Sequence, residues 1–147
     1  MVEHFIERGT AYPCRVGKLM MYETNISCRN VKFFFEDFVL TLMLAGHKTI
    51  TTDHLKFEFF PGTFFIPERR TINNVSIPNA SVDNPTKCLV LELDPSFIQT
   101  FYQEILLSET DKDILYQAPI NGHDPKGYFF SNDRFLIASL VRLYEHQ

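Results

Sequence analysis

The sequence predicts a mainly β fold, a small barrel or sandwich, followed by two or more helices. Three observations carry this. Short runs rich in β-branched and aromatic residues recur at even spacing up to Leu93, separated by Pro/Gly or polar turns. One of them, Asp37 to Ala45 (DFVLTLMLA), is almost continuously apolar, as expected of a strand covered on both faces. After Asp94 the apolar period changes from that of strands to that of helices.

The elements follow in order. Residues 1–15 mix charges with Gly9 and Pro13 and show no period, which reads as an arm with room for one short element. Leu19-Met20-Met21-Tyr22 is a first strand. Asp37 to Ala45, stopped by Gly46, is the expected central strand. Thr49 to Thr52, Leu55 to Phe60, Thr63 to Pro67, Ile72 to Ile77 and Lys87 to Leu93 complete the β portion. Pro61-Gly62 suits the two central positions of a type II turn, where proline presets φ and glycine accepts a positive one. Asp94-Pro95 reads as a helix cap and first helical residue, and Phe97, Ile98, Phe101, Ile105 and Leu106 then keep helical spacing to about Leu107. Pro119 to Gly127, with two prolines and two glycines, is a loop. Ser131 or Asn132 caps a second amphipathic helix carrying Phe135, Leu136, Leu140, Val141 and Tyr144. No stop signal closes that helix before Gln147, so the natural chain is expected to continue.

Composition narrows the function. A chain of 147 residues with 45% hydrophobic and 22% charged residues is the size of one folded domain. Fifteen Phe, six Tyr and no Trp suggest a core or cavity lined with apolar rings. The net charge of −4 and the scattered basic residues offer no phosphate-tracking face. Cys14, Cys28 and Cys88 are an odd number at wide spacing, which fits neither a disulfide framework nor a metal knuckle and points to a reducing, cytoplasmic setting. Glu3, Glu7 and Arg8 stand where a signal peptide needs an apolar core, and no apolar run is long enough to span a membrane.

Catalytic signals are weak. His54 and Glu58, four residues apart, would share a strand face, yet a two-ligand site holds a divalent metal poorly, so no metal is expected. No serine sits in a glycine-flanked nucleophile turn, and the six glycines are too isolated to cradle a phosphate, so no nucleotide or other cofactor is expected. The binding candidate is the barrel lumen. Alternation puts Val39, Thr41 and Met43 on one face of the central strand and Phe38, Leu40, Leu42 and Leu44 on the other, while Phe57 and Phe59 alternate against Phe60. One face must line the interior, with His47, Lys48, Arg69 or Arg70 as polar anchors at its mouth. The opposing reading is that the phenylalanines fill the lumen. The last helix, through Phe135, Leu136, Leu140 and Tyr144, is expected to pack partly on its own domain and partly on a second copy.

The order of these motifs resembles the N-terminal domain of AraC-type transcription regulators. The apolar strand ending in Gly46-His47-Lys48, then Pro61-Gly62-Thr63-Phe64-Phe65-Ile66-Pro67, then Asn79-Ala80-Ser81 with Asn84-Pro85, and last Leu91-Glu92-Leu93-Asp94 leading into a helix carry the resemblance across residues 16–147. It implies a cupin-like barrel of the jelly-roll or double-stranded β-helix kind over 16–94 and a helical dimerisation segment over 95–147 that continues into a helix-turn-helix DNA-binding domain. It further implies an effector-sensing, dimerising role without catalysis. The effector, a small molecule or a protein partner, would bind at Val39, Thr41, Met43, Phe57, Phe59 and Arg69. DNA would be contacted only by the C-terminal part, and no membrane would be involved. The competing readings are a metal-dependent cupin enzyme and a carbohydrate-binding β module, the second disfavoured by the absence of Trp.

Overall fold

A computed structural model describes residues 2–53, 56–107, 129–131 and 134–146. Among these residues ten strands form two antiparallel sheets facing each other. The strands are β1 (Arg8–Cys14), β2 (Gly17–Thr24), β3 (Cys28–Phe33), β4 (Val39–Ala45), β5 (Lys48–Thr51), β6 (Lys56–Phe59), β7 (Phe64–Ile66), β8 (Asn73–Ile77), β9 (Thr86–Leu93) and β10 (Phe129–Ser131). The helices among the described residues are α1 (Pro95–Leu107) and α2 (Arg134–Glu145). The larger sheet runs β1-β2-β9-β4-β7-β10 and the smaller β3-β8-β5-β6. Two sheets joined by such crossovers make the cupin-like architecture expected from the sequence.

The near-continuous apolarity of residues 37–45 follows from where β4 lies. It pairs with β9 on one side and β7 on the other, inside the larger sheet. Val39 and Met43 point into the space between the sheets, in one cluster with Met20, Ile50, Phe59, Val75, Ile77, Cys88 and Val90. Leu40, Leu42 and Leu44 point to the opposite face, packing with Leu19, Phe64, Leu89, Leu91 and the α2 residue Leu140. A strand buried on both faces cannot alternate with polar residues, because each would lose water without gaining a partner.

The turn and cap chemistry is as the sequence reads. The Thr63 amide donates to the Phe60 carbonyl at 3.2 Å around Pro61-Gly62, and Gly62 sits at φ 79°, the conformation a type II turn needs at its third residue. At the start of α1 the Asp94 carboxylate accepts from both the Ser96 hydroxyl (2.8 Å) and the Ser96 amide (3.0 Å). Those two bonds, the hydroxyl first, hold the Asp94 carboxyl below its ordinary value of 3.8. The sign follows: the cap stabilises α1 above the ordinary carboxylate range and is lost as the pH falls through the depressed value. Asp94→Ala should therefore lower the thermal midpoint at neutral pH, and the gap to wild type should close in acid; a gap unchanged by acid would show that the ionised carboxylate is not the cap.

Two strands escaped the sequence reading, and a third was allowed for only as one short element of an arm. In the segment expected to be an arm, Arg8–Cys14 pairs in continuous register with β2; Pro13 is tolerated because β1 is an edge strand and no ladder bond is required of its missing N–H. β3 was not anticipated at all: a register shift between Cys28 and Val31, with Asn30 at φ 53° and its amide on the Ser76 hydroxyl at 3.1 Å, breaks the two-residue alternation. Ser131, expected to cap the last helix, is instead the last residue of β10, paired with Phe64, and α2 starts at Arg134. Asn132 and the loop expected over Pro119 to Gly127 lie outside the described residues. No helix among the described residues is long and apolar enough to cross a membrane.

Candidate functional site

The space between the sheets is not filled. A cavity of about 370 Å³ opens there, within the range of small-molecule sites. The larger sheet supplies Met20, Tyr22, Val39, Thr41, Cys88, Val90 and Glu92, and the smaller supplies Phe33, Lys48, Ile50, Phe59, Asn73 and Val75. Phe34, Phe35, Glu36 and Asp37, from the turn between β3 and β4, complete the wall together with Glu7. Strand pairing explains why these residues converge. Ile50 faces Val75 across β5 and β8, and Thr41 faces Val90 across β4 and β9, so each sheet presents one alternate set of side chains inward.

One charged pair stands in this apolar chamber. Lys48 is 8% exposed and its Nζ donates to Glu7 Oε1 at 2.8 Å. Glu7 belongs to the segment preceding β1, and its Oε1 also accepts from the Thr24 hydroxyl at 3.2 Å. Burial by itself would lower the Lys48 ammonium. The negative charge of an ionised Cys88 and the carboxylate of Glu7 outweigh it, so the net shift is upward. Burial pushes the Cys88 thiol up to about 11, so at neutral pH it is a protonated thiol and Glu7 is the group that keeps Lys48 charged. Desolvation, then Glu7, raises the Tyr22 hydroxyl, which donates to the Met20 sulfur at 3.2 Å. Of the other acids in the wall, Glu92 pairs with Lys18 at 3.6 Å and Glu36 with Arg70 at 3.4 Å, and Asp37 stands beside Glu36 in the turn between β3 and β4.

The structure distributes the anticipated residues as follows. Val39, Thr41 and Phe59 line the cavity. Met43 is fully buried in the same core, and Phe57 packs against that core, but neither lines the cavity. Arg69, in the connection between β7 and β8, does not line the cavity; its guanidinium stacks 4.1 Å above the Phe38 ring. His47 stacks on Phe60 and lies 3.8 Å from Glu58, and Lys48, expected at the mouth, is inside. Its inward direction was readable in principle, since Lys48 and Ile50 alternate with Thr49 and Thr51 along β5. Nothing in the sequence announced Glu7. His54 lies outside the described residues, and its proposed companion Glu58 accepts from the Thr49 hydroxyl at 2.9 and 3.0 Å. Among the described residues no three His, Cys, Asp or Glu side chains come together as a metal-ligand set.

On the other face of the large sheet, Leu140 is 4% exposed against Leu42 and Leu89, and Tyr144 meets Tyr12 edge to face at 5.8 Å. These two residues, expected at a dimer contact, are committed to the chain's own sheet, because that sheet needs a cover for its second apolar face. Phe135 and Leu136 lie on α2 with side chains outside the described residues.

Comparison with known proteins adds the following. The family model described as AraC-type transcriptional regulator N-terminus matches residues 15–146. ToxT from Vibrio cholerae is similar in structure over 85% of this chain and 46% of its own, with 14% identity and a TM-score of 0.59. ToxT bound to (E)-4-(8-methylnaphthalen-1-yl)but-3-enoic acid is similar over 86% of this chain and 46% of its own, with 13% identity and a TM-score of 0.58. A cupin superfamily protein from Desulfitobacterium hafniense is similar over 63% of this chain and 82% of its own, with 15% identity and a TM-score of 0.49. This chain thus spans less than half of ToxT. No curated protein matches the chain in sequence.

Proposed function

The chain belongs to the AraC-type transcriptional regulator N-terminus family, the effector-sensing regulatory part of such regulators, and from that premise we propose that its effector is a small apolar molecule with one acidic group, bound between the two sheets. The observation that carries this is the buried Lys48 ammonium standing in a cavity of about 370 Å³ whose wall is largely apolar. Such a site holds an apolar body by excluded water and orients its head by one charge-assisted hydrogen bond. ToxT bound to a naphthyl-substituted butenoic acid is an instance of that ligand chemistry in a similar fold.

The protein does no chemistry on its ligand in this reading. Cys88 is a protonated thiol, and three of the four lining carboxylates, Glu7, Glu36 and Glu92, are each tied to a cation, which leaves few groups able to act as a base on a bound molecule. Binding would shift a population between two arrangements of the barrel and whatever it contacts. The chain would act in the cytoplasm as part of a longer homodimeric regulator. Residues 16–94 would form the sensing barrel, 95–147 the dimerising segment, and a helix-turn-helix domain beyond would bind DNA. With Leu140 and Tyr144 occupied on their own sheet, the outward residues of α2, such as Arg134, Ser139 and Arg142, would face the second subunit.

Thermal unfolding with a series of medium-chain fatty acids and aryl-alkanoic acids tests the reading. A true ligand at about a hundred times its Kd should raise the midpoint by roughly 5–10 °C. Val39→Trp, which puts an indole into the cavity, should abolish the rise. A series without any stabilising acid, or a rise that persists in Val39→Trp, would place the effector elsewhere.

A further inference from the structure

We propose that Glu7 is a built-in competitor for the effector's acidic group, and that its displacement from Lys48 releases residues 2–7 from the barrel. This rests on the acid-sensing reading above and adds how that site reports its occupancy.

The segment before β1 is strapped to the end of β2. The Asn25 side-chain amide donates to the Glu3 carbonyl at 2.9 Å, the Phe5 amide donates to Asn25 Oδ1 at 2.8 Å, and the Asn25 amide donates to the Phe5 carbonyl at 3.2 Å. The Glu7 amide reaches the Thr24 hydroxyl at 3.3 Å. Thr24 and Asn25 are buried, so the strap supplies partners to polar groups that water cannot easily reach. At its end the chain turns through Glu7 at φ 59°, a conformation that few side chains other than glycine adopt without strain. That turn aims the carboxylate into the chamber, onto Lys48.

The arrangement makes the two acids mutually exclusive. Glu7 already gives the buried ammonium a counter-charge, and a second carboxylate on the same ammonium would leave one negative charge uncompensated in a poorly solvated place. The incoming acid therefore takes the position of Glu7. Glu7 can leave because it lies outside the ladders, in the segment before β1 where Val2 and Ile6 are exposed, whereas Lys48 is fixed within β5 between β6 and β8. Once the carboxylate departs, the positive φ at Glu7 has nothing to hold it, and the strap loses its inner anchor. Glu92 and Glu36 do not substitute for Glu7, since each is paired with its own cation, and Asp37 belongs to the loop between β3 and β4.

Decanoic acid and its uncharged counterpart decanol are the probes. Calorimetric titration of the wild-type chain should show both binding. Hydrogen exchange at the Phe5, Glu7 and Asn25 amides should accelerate with decanoic acid and stay unchanged with decanol. Glu7→Gln should tighten decanoic acid about tenfold or more relative to decanol. Equal decanoic acid affinity in wild type and Glu7→Gln, with the three amides still protected, would overturn the competitor role while leaving the sensing reading intact. Failure of both probes to bind either protein would overturn both. If Glu7→Gln does not fold, the electrically neutral Glu7→Gln/Lys48→Met pair carries the test: decanoic acid should lose any advantage over decanol, and a persistent preference for the acid would overturn the proposal.

Discussion

Lys48→Ala should destabilise the domain by about 3 kcal/mol, the lower end of the cost of breaking a buried ion pair. The substitution removes a well-packed stem and leaves the Glu7 carboxylate facing an apolar chamber with only the Thr24 hydroxyl as partner. The lower end applies because the two side chains keep 10% and 13% of their surface, so some water reaches the pair. Glu7→Gln/Lys48→Met should cost far less than Lys48→Ala, since an uncharged pair of similar shape has no desolvation to offset. Urea denaturation of the single and double variants measures both quantities; a Lys48→Ala cost within about 0.5 kcal/mol of zero would show that the pair is effectively solvated. The pH dependence has a definite sign. The folded-state value of Lys48 lies above its ordinary 10.5, so the contribution of the pair is complete below that pH and disappears as the pH rises through the folded value. On the alkaline side, wild type and the neutral double variant should therefore converge as the pH rises through that value.

A second large effect is expected at Gly17→Ala, about 3 kcal/mol or more. Gly17 opens β2 opposite Leu93 and sits at φ 154°. A methyl group there would come within 2.0 Å of the Glu92 carbonyl oxygen and 2.9 Å of the Asp94 amide nitrogen. Both are backbone atoms, so no side-chain rotation relieves the clash. The Asp94 amide is moreover bonded to the Val16 carbonyl at 2.9 Å, so opening the gap would detach the end of β9 and the start of α1 together. Thermal unfolding followed by circular dichroism reads this directly. A midpoint within a degree or two of wild type would mean that the β2–β9 junction yields at little cost.

Much of the architecture was legible because it is written locally. The Phe60 to Thr63 turn, the Asp94 cap and the helix to Leu107 depend on residues within a few positions of each other, and each stands where it was expected. β4 was legible because a strand inside a two-faced sheet has only one composition open to it. β1 and β3 were not, since Gly9 and Pro13 in one and the Asn30 irregularity in the other erase the alternation that marks a strand. Both acquire their conformation from a partner strand, not from their own propensity.

For the site, the alternation of Val39, Thr41 and Met43 was visible, and so was the aromatic alternation of Phe57 and Phe59. Alternation identifies a face and no more. It cannot say how deep along the lumen a side chain lies, which is why Val39, Thr41 and Phe59 reach the cavity while Met43 is sealed below it and Phe57 lies beside it. Arg69 is absent from the cavity wall for a related reason: a charged residue beside a turn has no period to place it.

The sequence by itself determined the class of fold, the β-to-α switch at Asp94 and the family resemblance, because hydrophobic period and turn chemistry act over short stretches of chain. Only the tertiary structure decided where a charge would be buried. Glu7 and Lys48 are 41 residues apart, on segments with no pattern in common. They meet because the closing of two sheets leaves one ammonium without water and lays the segment before β1 where it can bring a counter-ion, and that is a property of three-dimensional enclosure that no local pattern encodes.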